Sequence, residues 1–157
     1  MALVAWGMGC GGGAARITGE AEPGGAVSPV DVCHEETNRY RARVKRPPFR
    51  RSAALDRYAA EGAAHDAARR EPHHHFNTVA FPDSFSSFAE NELPWWHLGD
   101  GDAGAAARVI RTGIASMWAE GAGGGHYENL VGPFAEMGCG VFVVGDEITL
   151  VQNFRSP

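Results

Sequence analysis

The residues G-H-Y-E-N-L-V at 125–131 and E-M-G-C-G-V at 136–141 decide how the rest of the chain is interpreted. The second run opens an apolar segment, 138–144, which is followed by a second apolar segment, 148–154. Gly145-Asp146 lies between them and is typical of a tight hairpin turn. The sequence therefore predicts two antiparallel strands close to its last residues.

Three helices are predicted upstream of this hairpin from caps and apolar spacing. The first covers about 31–45, with Asp31 as its N-cap. The second follows Ser52 as N-cap and reaches about Arg70. The third covers about 104–119. These helices carry the apolar faces that a sheet can bury.

The intervening segment 71–103 contains many chain-breaking residues and is predicted to be irregular. The glycine-rich segment 121–125 is predicted to end the third helix. Helices followed by a terminal hairpin predict an α+β or layered α/β/α arrangement rather than a repeated βαβ chain.

The length and composition fit one globular domain. The chain has 157 residues, of which 44% are hydrophobic and 21% charged. No apolar run approaches the ~20 residues of a transmembrane helix. Glycine is in excess, at 21 residues, and eight of these lie in the first 25 positions.

The first 30 residues are predicted to be a leader-like head and a glycine-rich linker, with the folded domain at 31–157. The run M-A-L-V-A-W-G-M-G-C resembles the end of a bacterial lipoprotein signal, in which the cysteine, here Cys10, carries the lipid. The alternative is a cytosolic chain with an unstructured N-terminus.

The charge of the chain is uneven. Residues 39–70 carry ten Arg and Lys against three acids, whereas residues 72–157 carry three Arg against ten acids. A basic block can indicate nucleic-acid binding. No aromatic-interleaved or recognition-helix pattern accompanies it, so the favoured interpretation is solvated helices beside a more acidic half of the domain, with no nucleic-acid partner.

The candidate functional residues are histidines and glutamates in loops after helices. They are His73-His74-His75, Glu90, Glu120 and His126. Two imidazoles with two carboxylates can hold Zn²⁺ or move protons near pH 7. Their spacing alone establishes neither, and a loop histidine run is more often solvent-exposed than a metal ligand.

Residues 125–131 and 136–141 resemble the signature region of the CAP superfamily. This superfamily comprises cysteine-rich secretory, antigen 5 and pathogenesis-related 1 proteins, also called SCP-like extracellular proteins. Its pattern is a G-H-[FY] turn followed by G-C-G or G-V-G at the start of a strand. Upstream matches follow in the family's order over about 31–155: the opening helix at 33–43, Pro47-Pro48 with Leu55 and Ala59, Ala89-Glu90-Asn91 for G-E-N, Trp118-Ala119-Glu120 for W-x-x-E, and the closing strand at 151–154.

The resemblance implies a three-layer α-β-α sandwich with a central antiparallel sheet and a large open cleft. It also implies a tetrad of two histidines and two glutamates at the base of the cleft. The tetrad maps onto one of the histidines 73–75, with His73 favoured over His75, and onto Glu90, Glu120 and His126. The ligand-binding cleft implied by the resemblance is lined by His73, His75, Glu90, Glu120 and His126.

In several family members the tetrad takes up zinc or another divalent ion, which here makes His73 and His126 the expected metal ligands. Cys33 on the first helix and Cys139 on a core strand are expected to form a disulfide. Closing a loop of about 105 residues stabilises the fold by roughly 4–5 kcal/mol in the chain-entropy model.

The family precedent favours a secreted or envelope-tethered binding protein with a hydrophobic, lipid-like or envelope ligand, reaching the membrane only through a lipid anchor. The alternative is a metal-dependent, peptidase-like hydrolase that uses the same tetrad. No nucleophile is evident, since no motif places Ser84, Ser86 or Ser87 beside a base. No catalytic residue is therefore assigned, and binding is favoured over catalysis. A surface protein with a vestigial tetrad is a third interpretation.

Overall fold

The computed structural model describes residues 27–99, 102 and 104–156. The predicted leader, the predicted lipidation of Cys10 and most of the predicted linker fall outside these residues and stay predictions, whereas residues 29 and 30, predicted as linker, are helical. The elements among them are the helices α1 (Pro29–Arg43), α2 (Ala53–Arg69), α3 (His74–Thr78), α4 (Ala105–Ala119) and α5 (Gly125–Val131), and the strands β1 (Arg50–Arg51), β2 (Ser87–His97), β3 (Glu136–Val144) and β4 (Glu147–Ser156).

The strands form one mixed sheet in the order β1-β3-β4-β2. β3 and β4 are the predicted hairpin, and they turn at Gly145 with φ of +60°. β2 pairs antiparallel with β4, and the two-residue β1 pairs parallel with β3. The expected antiparallel sheet is therefore present, with one short parallel strand added. β2 lies at the edge of the sheet.

Two predicted features of the helices have different outcomes. Ser52 is the N-cap of α2, and its Oγ accepts a hydrogen bond from the N–H of Leu55. Asp31 is not an N-cap, because α1 begins at Pro29. The Asp31 carboxylate instead pairs with Arg51 at 2.7 Å. Proline is well suited to a first helical turn because the N–H it lacks would have no partner there.

The prediction that 71–103 is irregular was wrong, since this segment holds α3 and the 11-residue strand β2. The buried centre of β2 is Glu90-Asn91-Glu92-Leu93, in which three of four residues are polar. Strand prediction depends on apolar alternation, which such a segment lacks. The short helix α5 was also missed, because it starts at the last glycine of a run.

The three layers meet on alternate residues of β3. Gly138 and Gly140 face α2. A Cβ atom at Gly138 would lie 2.2 Å from the carbonyl carbon of Leu55, and one at Gly140 would lie 2.0 Å from that of Ala59. Cys139 lies between them, faces α1 and forms the expected disulfide with Cys33. α2 can therefore pack with its backbone against the sheet only because residues 138 and 140 have no side chain.

The opposite face of the sheet is covered by α1, α4 and α5. The main core lies there and includes fully buried residues from several elements: Val32, Cys33, Ile110, Ile114, Leu130, Met137, Ile148, Leu150 and Phe154. This arrangement confirms the predicted α-β-α layering. Every helix within residues 27–99, 102 and 104–156 is too short or too polar to cross a membrane.

Asp56, on α2, contacts residues of α1, β1 and β3. Its carboxylate accepts from the backbone N–H of Cys139 at 2.8 Å, and it contacts His34 Nε2 at 2.9 Å and Arg51 Nε at 2.6 Å. Burial acts to raise the pKa of Asp56, but the hydrogen bonds from His34, Cys139 and Arg51 outweigh it, and the pKa is lowered. The ionised carboxylate is thus a stabilising contact between α1, α2, β1 and β3.

We expect Gly140→Ala to lower the free energy of unfolding by about 3 kcal/mol or more, because the new methyl group meets helix backbone rather than a movable side chain. Gly125→Ala is the matched control, since no atom lies within 4 Å of a Cβ there. Urea unfolding followed by circular dichroism measures both. Equal stability of the two variants would contradict the close packing of α2 on β3.

We expect Asp56→Asn to destabilise the protein by about 2–4 kcal/mol at neutral pH, because partly buried charged hydrogen bonds are lost. Since the folded-state pKa is lowered, this contribution is complete above the unfolded value of 3.8 and disappears as the pH falls through the folded value. Asp31→Asn, which removes only an exposed contact to Arg51, is the control. Unfolding curves of both variants and wild type between about pH 7 and pH 2 give the comparison. A difference between Asp56→Asn and wild type that persists at the lowest pH would argue against the ionised contact.

Candidate functional site

The first pair of candidate residues joins the start of α3 to β2. His73 precedes α3 and has a left-handed backbone, with φ of 59°. Its Nδ1 lies 2.9 Å from Oε1 of Glu90, and its backbone N–H donates to Oε2 of Glu92 at 2.6 Å. Glu90 and Glu92 are two residues apart on a strand, so their side chains leave the same face. One histidine therefore contacts two carboxylates.

The carboxylates of this pair are buried, whereas solvent reaches the histidine. The side chains of Glu90 and Glu92 are 1% and 0% exposed, and that of His73 is 39% exposed. The hydrogen bond with Glu90 raises the pKa of His73 against the opposing effect of burial. Burial raises the pKa of Glu92 to about 7, and the His73 N–H opposes this shift. The site thus contains two groups whose pKa values are raised for different physical reasons.

The second pair lies where α4 meets α5. His126 Nδ1 is 2.5 Å from Oε1 of Glu120, and the His126 backbone N–H donates to Oε2 at 3.1 Å. The turn between them brings Gly124 so close that a Cβ there would lie 2.4 Å from Glu120 Cβ. The hydrogen bond from His126 lowers the pKa of Glu120. Both side chains are about one-third exposed, so this pair is open to a ligand.

Two asparagines connect the elements that carry these pairs. The side chain of Asn129, on α5, donates to the backbone carbonyl of Glu90 at 3.1 Å and to Asn91 Oδ1 at 2.9 Å. Asn91 in turn donates to the backbone carbonyl of His126 at 3.2 Å. The backbone at Glu90 is therefore held directly to the helix that begins beside His126.

The two pairs are linked to successive residues of the edge strand β2, Glu90 and Asn91. Glu90 shares a face with its β4 partner Asn153, which donates to Glu90 Oε2 at 2.9 Å, while Asn91 points to the α5 side. His73, Glu90 and Glu92 are one of two groups among the described residues whose ligand atoms all lie within 4.8 Å, and His126 belongs to neither group. A cation shared by His73 and His126 stays a prediction.

The structure separates the three consecutive histidines. His73 is the one that contacts Glu90. His75, also expected to line the cleft, lies on the face of α3 that packs on α2, is 4% exposed and contacts Tyr58 with ring centroids 4.5 Å apart. Burial lowers the pKa of His75. Its position follows from its place in α3, whose buried face it provides.

Sequence reasoning missed the supporting groups of the site. Glu92, Asn129 and Asn153 each hydrogen-bond to a candidate residue. A strand prediction over β2 would have placed Glu92 on the same face as Glu90. Asn129 and Asn153 carry no comparable signal, since their roles depend on which elements the fold brings to β2.

The order of these elements matches a known family. The family model for CAP, the cysteine-rich secretory protein family, matches residues 34–154. The chain belongs to the CAP family. A comparison with curated protein sequences finds no match.

Solved structures share this CAP fold. An outer surface protein from Borrelia burgdorferi superposes with a TM-score of 0.59 at 13% identity, over 80% of this chain and 90% of that one. NaASP2, solved with Zn²⁺, superposes with a TM-score of 0.55 at 16% identity, over 86% of this chain and 83% of that one. An extracellular protein with an SCP domain from Bacillus anthracis superposes with a TM-score of 0.56 at 17% identity, over 89% of this chain and 45% of that one. At these identities the likeness establishes the fold.

We expect Glu90→Gln to lower the pKa of His73, because a neutral amide stabilises the imidazolium less than a carboxylate does. Imidazole proton shifts followed against pH by NMR in metal-free protein measure this value. Glu120→Gln, the same change at the other pair, should leave the His73 titration in place. An unchanged His73 pKa in Glu90→Gln would contradict the contact.

Proposed function

We propose that this CAP domain is a secreted or envelope-associated binding protein whose His/Glu cleft holds a divalent cation, with Zn²⁺ as the first candidate. The same cleft binds a lipid-like or envelope ligand. The paired arrangement of His73 with Glu90 and of His126 with Glu120 carries this proposal.

Each pair has the geometry that orients a metal-binding histidine. Zinc-ligating histidines commonly donate one ring N–H to a carboxylate, which fixes the tautomer and directs the other nitrogen to the metal. His73 and His126 both face a glutamate through Nδ1, and Nε2 of neither forms a hydrogen bond with a described residue. His73 and His126 are therefore the ligands that we assign, and the glutamates orient them.

The buried acids beside His73 also fit a cation. Oε1 of Glu92 is buried and has no hydrogen-bond partner among the described residues. A buried carboxylate oxygen without a partner is costly, and a nearby divalent charge offsets that cost. A cation would stabilise ionised Glu92 and neutral His73. The solved structure of NaASP2 with Zn²⁺ is consistent with this choice of ion.

The apolar ligand is supported by aromatic side chains near the His73 pair. Phe76 lies one turn beyond His73 and packs on Phe88, with ring centroids 5.1 Å apart. Phe85 also packs on Phe88, at 4.9 Å, and is 45% exposed. The segments 73–78 and 85–92 thus bear both the polar pair and a partly exposed aromatic surface. Such a surface next to a few polar groups is typical of small-molecule sites.

The second candidate function is metal-dependent hydrolysis, with the metal supplying an activated water. One observation favours it: burial raises the pKa of Glu92 to about 7, which suits a group that exchanges protons near neutral pH. Of the three serines considered as nucleophiles, Ser86 donates its hydroxyl to the carbonyl of Ser156. Binding remains the main proposal because the partly exposed aromatic surface beside the His73 pair supports a ligand, whereas hydrolysis is supported by Glu92 alone.

We expect His126→Ala to lower the affinity of the cleft for Zn²⁺ by at least about 10- to 100-fold. The Zn²⁺ affinity should also fall as the pH drops, because protons compete with the metal for the histidine nitrogens. At His73 the hydrogen bond with Glu90 raises the pKa and so strengthens this competition. Calorimetric titration with Zn²⁺ measures both effects. His97→Ala, at an exposed histidine paired with Asp146, is the control.

Wild-type affinity in both His126→Ala and His73→Ala would overturn the metal proposal. A panel of peptide substrates and phosphatidylcholine vesicles then separates the two functions. Vesicle or lipid binding without peptide cleavage supports the binding protein. Cleavage that requires Zn²⁺ and His126 supports the hydrolase and overturns the main proposal.

A further inference from the structure

We propose that His65, Asp66 and His74 form a second divalent-cation site, suited to Zn²⁺ and separate from the cleft. This site joins the last turns of α2 to the start of α3. It shares no residue with the group formed by His73, Glu90 and Glu92.

The geometry of the three residues already suits one ion. One ligand atom from each of His65, Asp66 and His74 lies within 4.8 Å of the other two. The rings of His65 and His74 meet edge to face with centroids 4.9 Å apart. Asp66 is fully buried, and the two histidines are partly exposed. The carboxylate therefore lies at the base of the group, and the imidazoles give access from solvent.

One oxygen of the buried Asp66 carboxylate lacks a hydrogen-bond partner among the described residues. Its Oδ1 accepts the backbone N–H of His75 at 2.8 Å, but Oδ2 is buried and has no hydrogen-bond partner among the described residues. The neighbouring arginines pair elsewhere, Arg69 with Glu71 and Arg70 with Glu147. A buried carboxylate oxygen without a partner is costly, and a bound cation supplies the missing interaction.

The donor set selects the metal. Two imidazoles and one carboxylate match the three-ligand sites of Zn²⁺, which leave a fourth position for water. Ca²⁺ and Mg²⁺ prefer shells made of oxygen, which this group does not provide. Zn²⁺ is therefore the ion expected here, with other imidazole-binding transition metals as competitors.

The site is distinct from the cleft although His73 and His74 are adjacent in sequence. The side chain of His73 is held by Glu90 on β2. That of His74 packs against His65 on α2, and its Nε2 lies 4.0 Å from Glu71. A cation bound by His65, Asp66 and His74 would hold the α2–α3 junction, and thereby the segment that presents His73.

The test measures bound Zn²⁺ per chain by equilibrium dialysis and elemental analysis, with Zn²⁺ as the only added ligand and the full chain throughout. We expect wild type to bind two ions. His65→Ala, His74→Ala and Asp66→Asn should each retain one, with affinity at the altered site lowered at least about 10- to 100-fold. His126→Ala should also retain one, and His74→Ala combined with His126→Ala none. His97→Ala should retain two.

Wild-type stoichiometry and affinity in all three variants of the group would overturn the second site. A single ion that is lost in His126→Ala and kept in His74→Ala would do the same. The reverse pattern, a single Zn²⁺ ion that is lost in His74→Ala and kept in His126→Ala, would support this site and count against a metal site in the cleft. Asp66→Asn keeps an oxygen for the His75 N–H, and circular dichroism without metal identifies any misfolded variant. If Asp66→Asn misfolds, the partly exposed His65 decides the question.

Discussion

The close contact of α2 with β3 fixes the rest of the molecule. Gly138 and Gly140 allow the helix backbone to lie against the strand, where any side chain would overlap it. Because strand residues alternate between faces, this contact directs Cys139 to the opposite face, where it bonds to Cys33. Asp56 then fastens α2 to the N–H of Cys139 itself. One short run of β3 therefore positions the helix layers on both sides of the sheet.

The same contact determines which face of β2 presents the glutamates. Gly138 pairs with Asn153 on β4, and Asn153 pairs with Glu90 on β2, so all three lie on the face that α2 covers. A slip of one residue would turn Glu90 to the opposite face and bring Asn91 under α2. The side-chain bonds of Asn153 to Glu90 and of Asn91 to the α5 side oppose such a slip. The geometry of the candidate site thus depends on strand register, which the glycines help to fix.

Local sequence patterns predicted some features of the fold, and the family resemblance implied others. The hairpin at Gly145, the N-cap at Ser52 and the disulfide between Cys33 and Cys139 were confirmed, and so was the layered fold implied by the family resemblance. β2 was missed because its buried residues are polar, and polar residues are buried only where other elements supply their partners. Those partners come from distant parts of the chain, which no local pattern can reveal. His75 was expected in the cleft with His73 for the same reason, since the packing of His75 on Tyr58 and the contact of His73 with Glu90 both depend on other elements of the fold.

The left-handed backbone of His73 shows how adjacent histidines reach different surroundings. A residue with a Cβ in this conformation costs about 1–3 kcal/mol and persists only where its surroundings enforce it. Here the backbone N–H donates to Glu92 and the ring contacts Glu90, so two buried carboxylates on β2 offset the strain. The turn at His73 also starts α3 in the direction that carries His74 back to His65 on α2. One strained residue therefore separates the two histidine-rich groups, and the acids of β2 that stabilise it are the same acids that line the candidate cleft.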